Sequence, residues 1–403
     1  MFLHTTDMVW NVFTDKKELR TGDTSIYLGS GDFMDNAQPI MGGVIEGTYG
    51  LSDPNAAYTS QWGYTFPDRE AKKWYIFNGS GAEAISDEGM HHYLRNNFGF
   101  KLLEQFPGFK AVDKKVKYGI GYSFGVDHTL NRLVLTKIDY EAKDPSKLTL
   151  DSNGKTFNGG TIFAGDLEHF YDKSFTISYD VKEKKWVSNH YYTPLIYAWN
   201  RFDMYSFDKG AKSGDYGLWL HNVQGSFQTF FEEYYPMYLE YVVRNPNSLD
   251  SFQYVSTEIK SECEQWVGDQ YIKGKRDTFN KIGAYNSHQS TNMLPLVDKD
   301  TLTVSEASKE NFNIVLYEFN KRNTQLSALK DRLANYNEPI FDAEPKDTLD
   351  ILPFDDNNHL PAPPIQNNIL EDNYLVNRVE FSKFDDRKLL LKQVQTSIEN
   401  NTK

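Results

Sequence analysis

The chain of 403 residues contains a single cysteine, Cys263. An internal disulfide is therefore impossible, and the composition gives no sign of an oxidising compartment. Long apolar runs are also absent, because no stretch approaches the length of about eighteen apolar residues that a membrane-spanning helix needs. The start of the chain, MFLHTTDMVW, lacks the basic and apolar regions of a secretory signal. We therefore expect no membrane span and no signal peptide.

Positive charge is scarce relative to negative charge. Lys and Arg number 43 against 56 Asp and Glu, which leaves a formal net charge of −13 at pH 7. Such an excess of negative charge disfavours general affinity for nucleic-acid backbones. The negative charge remains compatible with transient passage of DNA, because an acidic wall repels DNA and lets it slide past without sequence-specific binding.

Motifs that bind metals or nucleotides are missing as well. The adjacent pair His91-His92 would point about 100° apart on a helix, which prevents the two rings from binding one metal together, and no HExxH spacing occurs. The paired glycines at 29–33 and 78–84 complete neither a dinucleotide fingerprint nor a phosphate-binding loop. We interpret the acidic runs DFMD and FDDNN as solvated loops. The sequence therefore predicts no catalytic residue, no metal site and no bound cofactor.

Aromatic residues, in contrast, are abundant at 15% of the chain. They are concentrated in SNHYYTPLIYAWNRFDMYSF (188–207), and tyrosine and phenylalanine favour pleated, half-buried surfaces. Apolar runs broken by Gly, Asn and Asp predict strands and turns in several segments. We place these at 72–81, 119–142, 147–160 and 174–192, with turns at Asn78-Gly79, Asp127–Asn131 and Asn153-Gly154. The predicted fold is mainly β.

One helical insertion interrupts the strands at 86–106. Ser86 is a candidate N-cap, and the apolar side chains of Met90, Tyr93, Leu94 and Phe98 recur at helical spacing. A second short amphipathic turn follows at Leu102–Phe106. We therefore expect one or two short helices within an otherwise extended chain.

The pattern predicts two regions. Residues 1–250 are interpreted as propeller-like blades that contain the helical insertion, and residues 251–403 as a β-sandwich-like domain with a Pro- and Asn-rich extended arm at 335–373. The strands at 252–266 and 277–291 are predicted to pair, and two more strands are expected around Asp385-Asp386. A closed propeller needs at least about four blades. The sequence offers two or three, so another chain would have to complete the ring.

Four features in one order carry a family resemblance. Gly47 and Gly50 precede the aromatic step WGYTFPD, the strand KWYIFNG follows, and ISDEGM opens the helical insertion. This arrangement resembles a segment of the large tail structural proteins of crAss-like phages of Bacteroides. The later stretches 173–194, 218–243 and 279–291 agree with it, so the resemblance covers roughly 47–291. The residues that carry it are Gly47, Gly50, Trp62, Lys73, Tyr75, Phe77, Asn78, Gly79, Ile85, Ser86, Asp87, Gly89, Met90, Trp186, His190, Trp219, His221 and Asn222.

Within that family the chain is similar to muzzle and nozzle-type proteins, which are expected to be far longer. It therefore resembles a C-terminal portion of one, or a related small tail subunit. The resemblance implies a virion structural protein without enzymatic activity, located in the phage tail. Its implied partners are further copies of the chain in a homo-oligomeric ring and adjacent tail proteins around the DNA exit channel, where it would help to retain or release the genome.

A second hypothesis is a glycan-binding or glycan-cleaving protein of the tail tip. Exposed aromatic rings would serve as sugar platforms, and a pair of carboxylates is what most glycosidases use. The segment SYDVKEKKW (178–186) is faintly similar to the Asp-box turn of sialidase propellers, but it lacks the glycine of that motif. We interpret it as a plain hairpin with Trp186 packed beneath it.

Overall fold

A computed structural model of the chain describes residues 50–51, 56–78, 81–112, 118–244, 251–273, 279, 281–285, 371–372, 374–381 and 387–400, together with further short strands. The mainly-β prediction is confirmed, because antiparallel strands dominate and only two short α-helices are present in this part of the chain. The propeller-like blades stay a prediction. Within the described residues, no helix combines the length and apolar character needed to cross a membrane.

The chain divides into two compact units. The first comprises 1–208 and 216–221, and the second comprises 209–215 and 222–403. The division therefore lies before the predicted boundary at residue 250.

The first unit contains three main sheets, one further strand pair and a set of N-terminal strands. The hairpin sheet consists of Tyr58–Ser60, Gly63–Asp68, Lys73–Phe77 and Ala82–Ala84. The central sheet consists of Gly121–Asp127, Arg132–Ile138, Phe175–Asp180 and Lys185–His190. The outer sheet consists of Ile196–Trp199, Met204–Lys209 and Tyr216–Leu220. Tyr140–Ala142 pairs with Phe170–Asp172, and the N-terminal strands are Phe2–His4, Val9–Val12, Lys17–Thr21, Thr24–Leu28 and Ala37–Pro39.

The two faces of the central sheet differ in chemistry because successive side chains of a strand point to opposite sides. Tyr122, Phe124, Leu133, Leu135 and Ile177 lie on one face and belong to the main apolar core of the unit. The other face carries small and polar residues and meets the outer sheet. There Gly125 is required by close approach, because a Cβ at this position would lie 2.8 Å from the Tyr197 ring.

The helical insertion is confirmed, but it begins differently from the prediction. A 3-10 turn spans Ile85–Asp87, and the α-helices span His91–Asn97 and Lys101–Gln105. Ser86 is not the N-cap of a helix, because its buried Oγ accepts a hydrogen bond from the Trp74 N–H at 3.3 Å. The predicted apolar face is correct, since Leu94 and Phe98 are buried in the core. Met90 and Tyr93 pack against that core.

A buried ion pair joins the two helices to the central sheet. Lys137 Nζ lies 2.7 Å from Asp139 Oδ2 and also donates to the carbonyls of Asn97 and Gly99 at 2.7 and 2.5 Å. The Asp139 carboxylate accepts the N–H of Lys101 at 2.7 Å and that of Leu102 at 3.3 Å. It thereby supplies acceptors to N–H groups that a helix start leaves unsatisfied. Burial raises the pKa of Asp139 and lowers the pKa of Lys137.

The strand predicted at 147–160 is wrong. A 3-10 turn at Pro145–Lys147 leads into this segment, and its only ladder contacts are isolated bridges from Phe157 to Leu150 and to Ile162. The Asp151 carboxylate closes the loop instead, because it accepts the N–H of Gly159 at 2.8 Å and that of Gly160 at 2.7 Å.

The second unit is built around one long strand, Phe252–Val267. It pairs with Gln270–Lys273, Asn313–Glu318, Glu371–Asp372 and Arg387–Asn400. A second sheet contains Met237–Arg244, Tyr374–Phe381, Lys281–Tyr285, Gln289–Ser290, Leu294–Pro295 and Ser327–Ala328. A small hairpin pairs Thr229–Phe230 with Glu233–Tyr234.

The predicted pairing of 252–266 with 277–291 is wrong. Arg387–Asn400 lies along the long strand from Phe252 to Gln265, whereas Lys281–Tyr285 pairs with Tyr374–Phe381 in the other sheet. The two strands predicted around Asp385-Asp386 are confirmed, and they return the chain end to both sheets. The extended arm predicted at 335–373 lies outside the described residues except for Glu371–Asp372.

Candidate functional site

The first group of family-like residues forms the framework of the hairpin sheet. Tyr75 and Phe77 are buried, and the Tyr75 ring lies 5.5 Å from that of Phe66. Gly50 donates its N–H to Asp68 Oδ2 at 3.0 Å, which ties the glycine-rich approach to the end of the aromatic step. Trp62 packs against the core, with its ring 5.6 Å from His128. These residues therefore act in packing and chain tethering.

The start of the helical insertion is held by one exposed ionic cluster. Lys73 Nζ lies 2.8 Å from Asp87 Oδ2, and His91 Nδ1 lies 3.0 Å from Asp87 Oδ1. Gly89 has φ +88°, a conformation that favours glycine, and it donates its N–H to the Asp87 carbonyl at 3.0 Å. Ile85 is buried in the core nearby. Gly47 and Gly79 lie outside the described residues, and Asn78 donates its N–H to the Gly81 carbonyl at 3.3 Å.

Trp186 connects the hairpin sheet to the central sheet. Its ring lies 5.7 Å from that of Trp74 in the hairpin sheet and 5.3 Å from that of Tyr179 in the central sheet. The expected hairpin of 174–192 is confirmed, with Tyr179 opposite Trp186 across a β-bulge. Trp186 is therefore packed beneath the hairpin, as the sequence predicted.

Hydroxyl and imidazole groups fill the layer between the central and outer sheets. Ser178 Oγ lies 3.0 Å from His190 Nε2, and Ser206 Oγ lies 2.6 Å from His221 Nε2. The Tyr192 ring stands between the two imidazoles, 5.0 Å from His190 and 5.1 Å from His221. His190 and His221, which are 31 positions apart by their numbers, are thus brought into one polar cluster.

Hydrogen bonds continue this layer across both sheets. Thr136 Oγ1 lies 2.7 Å from Thr176 Oγ1 and 2.6 Å from the Tyr197 hydroxyl, and Thr176 donates to the Tyr192 carbonyl. Ser123 donates to the Pro194 carbonyl at 3.3 Å. Such a network is stabilising only when its buried groups are paired. The clustering of hydroxyls was not anticipated, although the alternation of small polar residues along these strands was its signal in the sequence.

The chemistry open to this cluster is limited by burial. A serine hydrogen-bonded to a histidine is the arrangement of an activated nucleophile, but Ser178 and Ser206 are both fully buried between the sheets. Among the residues that the structure describes, no group of three or more histidine, cysteine, aspartate or glutamate side chains is arranged to hold a metal ion. The cluster is thus best suited to fastening one sheet to the other.

The surroundings of both histidines favour the neutral form of the imidazole. Burial, followed by the charge of the neighbouring Arg132, lowers the pKa of His190 to about 3. Burial lowers the pKa of His221 to about 4, and the opposing charge of Asp127 does not outweigh it. Burial also raises the pKa of the Tyr192 hydroxyl.

We expect the histidines to make the protein less stable as the pH falls. On unfolding their pKa returns to about 6.5, so the unfolded chain binds more protons between that value and the folded pKa. Their contribution is complete above about pH 6.5 and lost progressively below it, by roughly 2–4 kcal/mol for the pair at about pH 5. Urea unfolding at these two pH values measures the loss. The double variant His190→Gln/His221→Gln should show a smaller difference between the two conditions, and an unchanged difference would contradict the assignment.

Trp219 belongs to the edge strand of the outer sheet, and its Nε1 donates to the Asp208 carbonyl at 3.0 Å. Asn222 follows in a turn with φ +58°. The side chains that alternate with Trp219 point to the opposite face: Tyr216 and Leu218 are each 61% exposed and Leu220 is 45% exposed. The outer sheet thus has one buried face and one exposed face, and the exposed face is largely apolar, with the charged Lys209 at the end of the middle strand.

Comparisons with known proteins do not assign the chain to a family. No protein-family model matches it, and no curated protein matches its sequence.

Proposed function

We propose that this chain is a structural component of a phage tail, of the muzzle or nozzle type, which assembles with partner chains around the DNA exit channel. The observation that carries the proposal is the use of the family-like residues. Trp186, Tyr75, Phe77 and Ile85 serve in packing, and His190 and His221 hold one sheet on another. Residues that serve in packing and in sheet-to-sheet contacts are typical of a rigid scaffold.

Three further properties support a structural role in the virion. The framework is held by aromatic packing and buried polar contacts and has no internal disulfide, since the sequence contains a single cysteine, the buried Cys263. The net charge of −13 suits a channel wall that repels DNA. The exposed apolar face of the outer sheet suits contact with another chain, because large exposed apolar patches mark interaction sites.

Peptide-mapping mass spectrometry of purified virions, with labelling of free N-termini, tests this proposal. We expect peptides of this chain in amounts stoichiometric with other tail proteins. A free end at Met1 would identify a separate subunit, whereas peptides continuing upstream would identify part of a longer muzzle-type protein. Absence of the chain from virions would refute the proposal.

Glycan recognition is a second candidate, favoured by exposed rings. The rings of Phe207 and Tyr216 stack at a centroid distance of 5.7 Å with an interplanar angle of 15° on the exposed side of the outer sheet. Stacked aromatic platforms of this kind are able to bind sugar rings through their apolar faces. Saturable binding of capsular polysaccharide by the purified chain, or release of reducing ends from it, would support this candidate. Assembly only with other tail chains would count against it.

A further inference from the structure

The outer sheet is held on the central sheet by side-chain contacts. Among the residues that the structure describes, no strand of one sheet pairs with a strand of the other. The hydrogen bonds that cross the layer between them include Thr136 to the Tyr197 hydroxyl at 2.6 Å and Thr129 to the Phe202 carbonyl at 2.8 Å. The outer sheet can therefore leave the central sheet without breaking a strand ladder of either one.

The two faces of the central sheet differ in what an opening would expose. On the side of the outer sheet the central strands present Ser123, Thr136, Thr176 and Ser178, all of which are buried. Hydroxyl groups exchange their hydrogen bonds for bonds to water when they are exposed, which costs less than exposing apolar side chains. The main apolar core lies on the opposite face. A polar layer of this kind favours local opening before the whole unit unfolds.

Two imidazoles stand in this layer, one on each side of it. His190 ends a strand of the central sheet, and His221 directly follows the last strand of the outer sheet, so that separation of the sheets hydrates both rings. The Tyr192 ring lies between them. A protonated imidazole only donates hydrogen bonds, so protonation also disturbs the contacts with Ser178 and Ser206.

The charges around the two rings favour separation once His190 is protonated. The titratable and charged side chains that face the layer or its margin are Asp127, Arg132, Asp180 and Lys185 of the central sheet, Tyr192, and Tyr197 and Asp208 of the outer sheet. Arg132 Nε is buried without a hydrogen-bond partner in the described part of the chain, so a charge on His190 adds a second positive group there. Asp127 attracts a charge on His221, but burial of that ring opposes protonation more strongly.

The direction of the pH effect follows from the hydration of the rings. In the closed layer burial holds the pKa of His190 and that of His221 below the ordinary value. In an opened layer the pKa of each ring returns towards about 6.5. Opening therefore takes up protons, and it becomes more favourable as the pH falls below that value.

We infer that the outer sheet is an acid-sensitive flap, which separates from the central sheet at mildly acidic pH while the apolar core on the other side stays folded. Protonation of His190 and His221 drives the separation. The inference goes beyond the proposed function and does not depend on it, since it concerns the purified chain in any setting. Absence of the chain from virions would refute the proposed function and leave this inference intact.

Cysteine labelling at two neighbouring positions of one strand tests the inference. Val134 faces the layer beside Ser178, whereas Leu133 points into the apolar core, and both are buried. The thiol of Val134→Cys reacts with dithiodipyridine when the flap opens, and that of Leu133→Cys only when the core opens. Leu167→Cys, at a residue that is 57% exposed, gives the reagent's own dependence on pH. The buried native Cys263 is distinguished by peptide mass.

We expect the labelling rate of Val134→Cys, relative to that of Leu167→Cys, to rise roughly tenfold or more between about pH 7 and about pH 5. At the lower pH, Leu133→Cys should react roughly tenfold more slowly than Val134→Cys, or slower still. Adding His190→Gln and His221→Gln together should remove most of the rise, because glutamine keeps hydrogen-bonding groups but takes up no proton. Circular dichroism checks that every variant is folded.

Hydrogen exchange of the unsubstituted chain, followed by mass spectrometry, measures the same opening without any variant. After correction for intrinsic exchange rates, Met204–Lys209 in the middle of the outer sheet should be less protected at about pH 5 than Arg132–Ile138 of the central sheet. Equal protection of the two strands would overturn the inference. Equal labelling of Val134→Cys and Leu133→Cys would also overturn it, as would a Val134→Cys rate that does not change with pH relative to Leu167→Cys.

Discussion

Replacing Asp139 by alanine is expected to lower the free energy of unfolding by about 3–5 kcal/mol. The substitution leaves Lys137 Nζ as a buried charge without its counter-ion, which had been 2.7 Å away. It also removes the acceptor of the Lys101 and Leu102 N–H groups at the start of the second helix. Breaking one side of a buried pair is far more destabilising than replacing the whole pair. Urea unfolding followed by tryptophan fluorescence measures the change.

Two further variants separate the causes of this loss. Asp139→Asn keeps an acceptor for one N–H group but removes the charge. We therefore expect it to lower the free energy of unfolding, but by less than Asp139→Ala does. Glu83→Ala removes an exposed ion pair with Lys184 at 3.0 Å, and its unfolding midpoint should hardly move because exposed pairs contribute little. Equal effects of Asp139→Ala and Glu83→Ala would contradict the structural role given to the buried pair.

Trp74→Ala is the second substitution with a large expected effect, again about 3–5 kcal/mol of unfolding free energy. The side chain is fully buried, and its ring lies 5.3 Å from Phe124 and 5.7 Å from Trp186. Its Nε1 donates to Thr65 Oγ1 at 2.7 Å, so truncation creates a cavity and leaves a buried hydroxyl without its donor. Thermal or urea unfolding of the variant measures the effect.

Trp186 offers the matched comparison within the same ring cluster. Its Nε1 is buried and has no hydrogen-bond partner among the residues that the structure describes, so Trp186→Phe should preserve most of the packing and change the unfolding free energy by less than about 1 kcal/mol. Trp186→Ala removes the packing and should be clearly destabilising. Normal folding of Trp186→Ala together with lost glycan binding would instead favour the recognition hypothesis.

Short-range features were readily predictable from the sequence. The turn at Asp127–Asn131 and the alternation of Phe175, Ile177 and Tyr179 predicted two hairpins. Their strands are Gly121–Asp127 with Arg132–Ile138, and Phe175–Asp180 with Lys185–His190. The apolar spacing of the helical insertion predicted its buried face. These predictions were correct because the formation of a hairpin or a short helix depends on residues a few positions apart. The periodicity of their side chains and the residue types of their turns can be recognised in the sequence.

Ser86 and Asp151 show how the same reasoning fails. Ser86 was predicted as an N-cap but uses its side chain in a contact with another strand, whereas Asp151 uses its side chain to close a loop within the segment 147–160 that was predicted to contain a strand. The Ser86 Oγ accepts a hydrogen bond from the N–H of Trp74, which lies on a neighbouring strand. The Asp151 carboxylate accepts the N–H groups of Gly159 and Gly160 and so closes the loop between them. An N-cap contributes about 1 kcal/mol, so for Ser86 a buried contact of similar strength from outside the segment is enough to override it.

The residues of the polar layer were partly visible in advance. His190 and His221 were singled out by resemblance alone, whereas their pairing with Ser178, Ser206 and Tyr192 depends on which sheet packs on which. Lys137 and Asp139 were missed. Lys137 continues the inward alternation of Leu133 and Leu135, so a charged residue on an apolar face was the available signal.

By itself the sequence determined the β-rich character, the local hairpins, the short helices and the acidic charge, since each depends on composition or on near neighbours. Only the tertiary structure decided the pairing of the long strand Phe252–Val267 with the chain end, more than a hundred residues away by number. It also decided that Tyr216, Leu218 and Leu220 face outward while Trp219 turns inward. Alternation along a strand identifies two faces, but which of them is covered depends on the neighbouring sheet that packs against it.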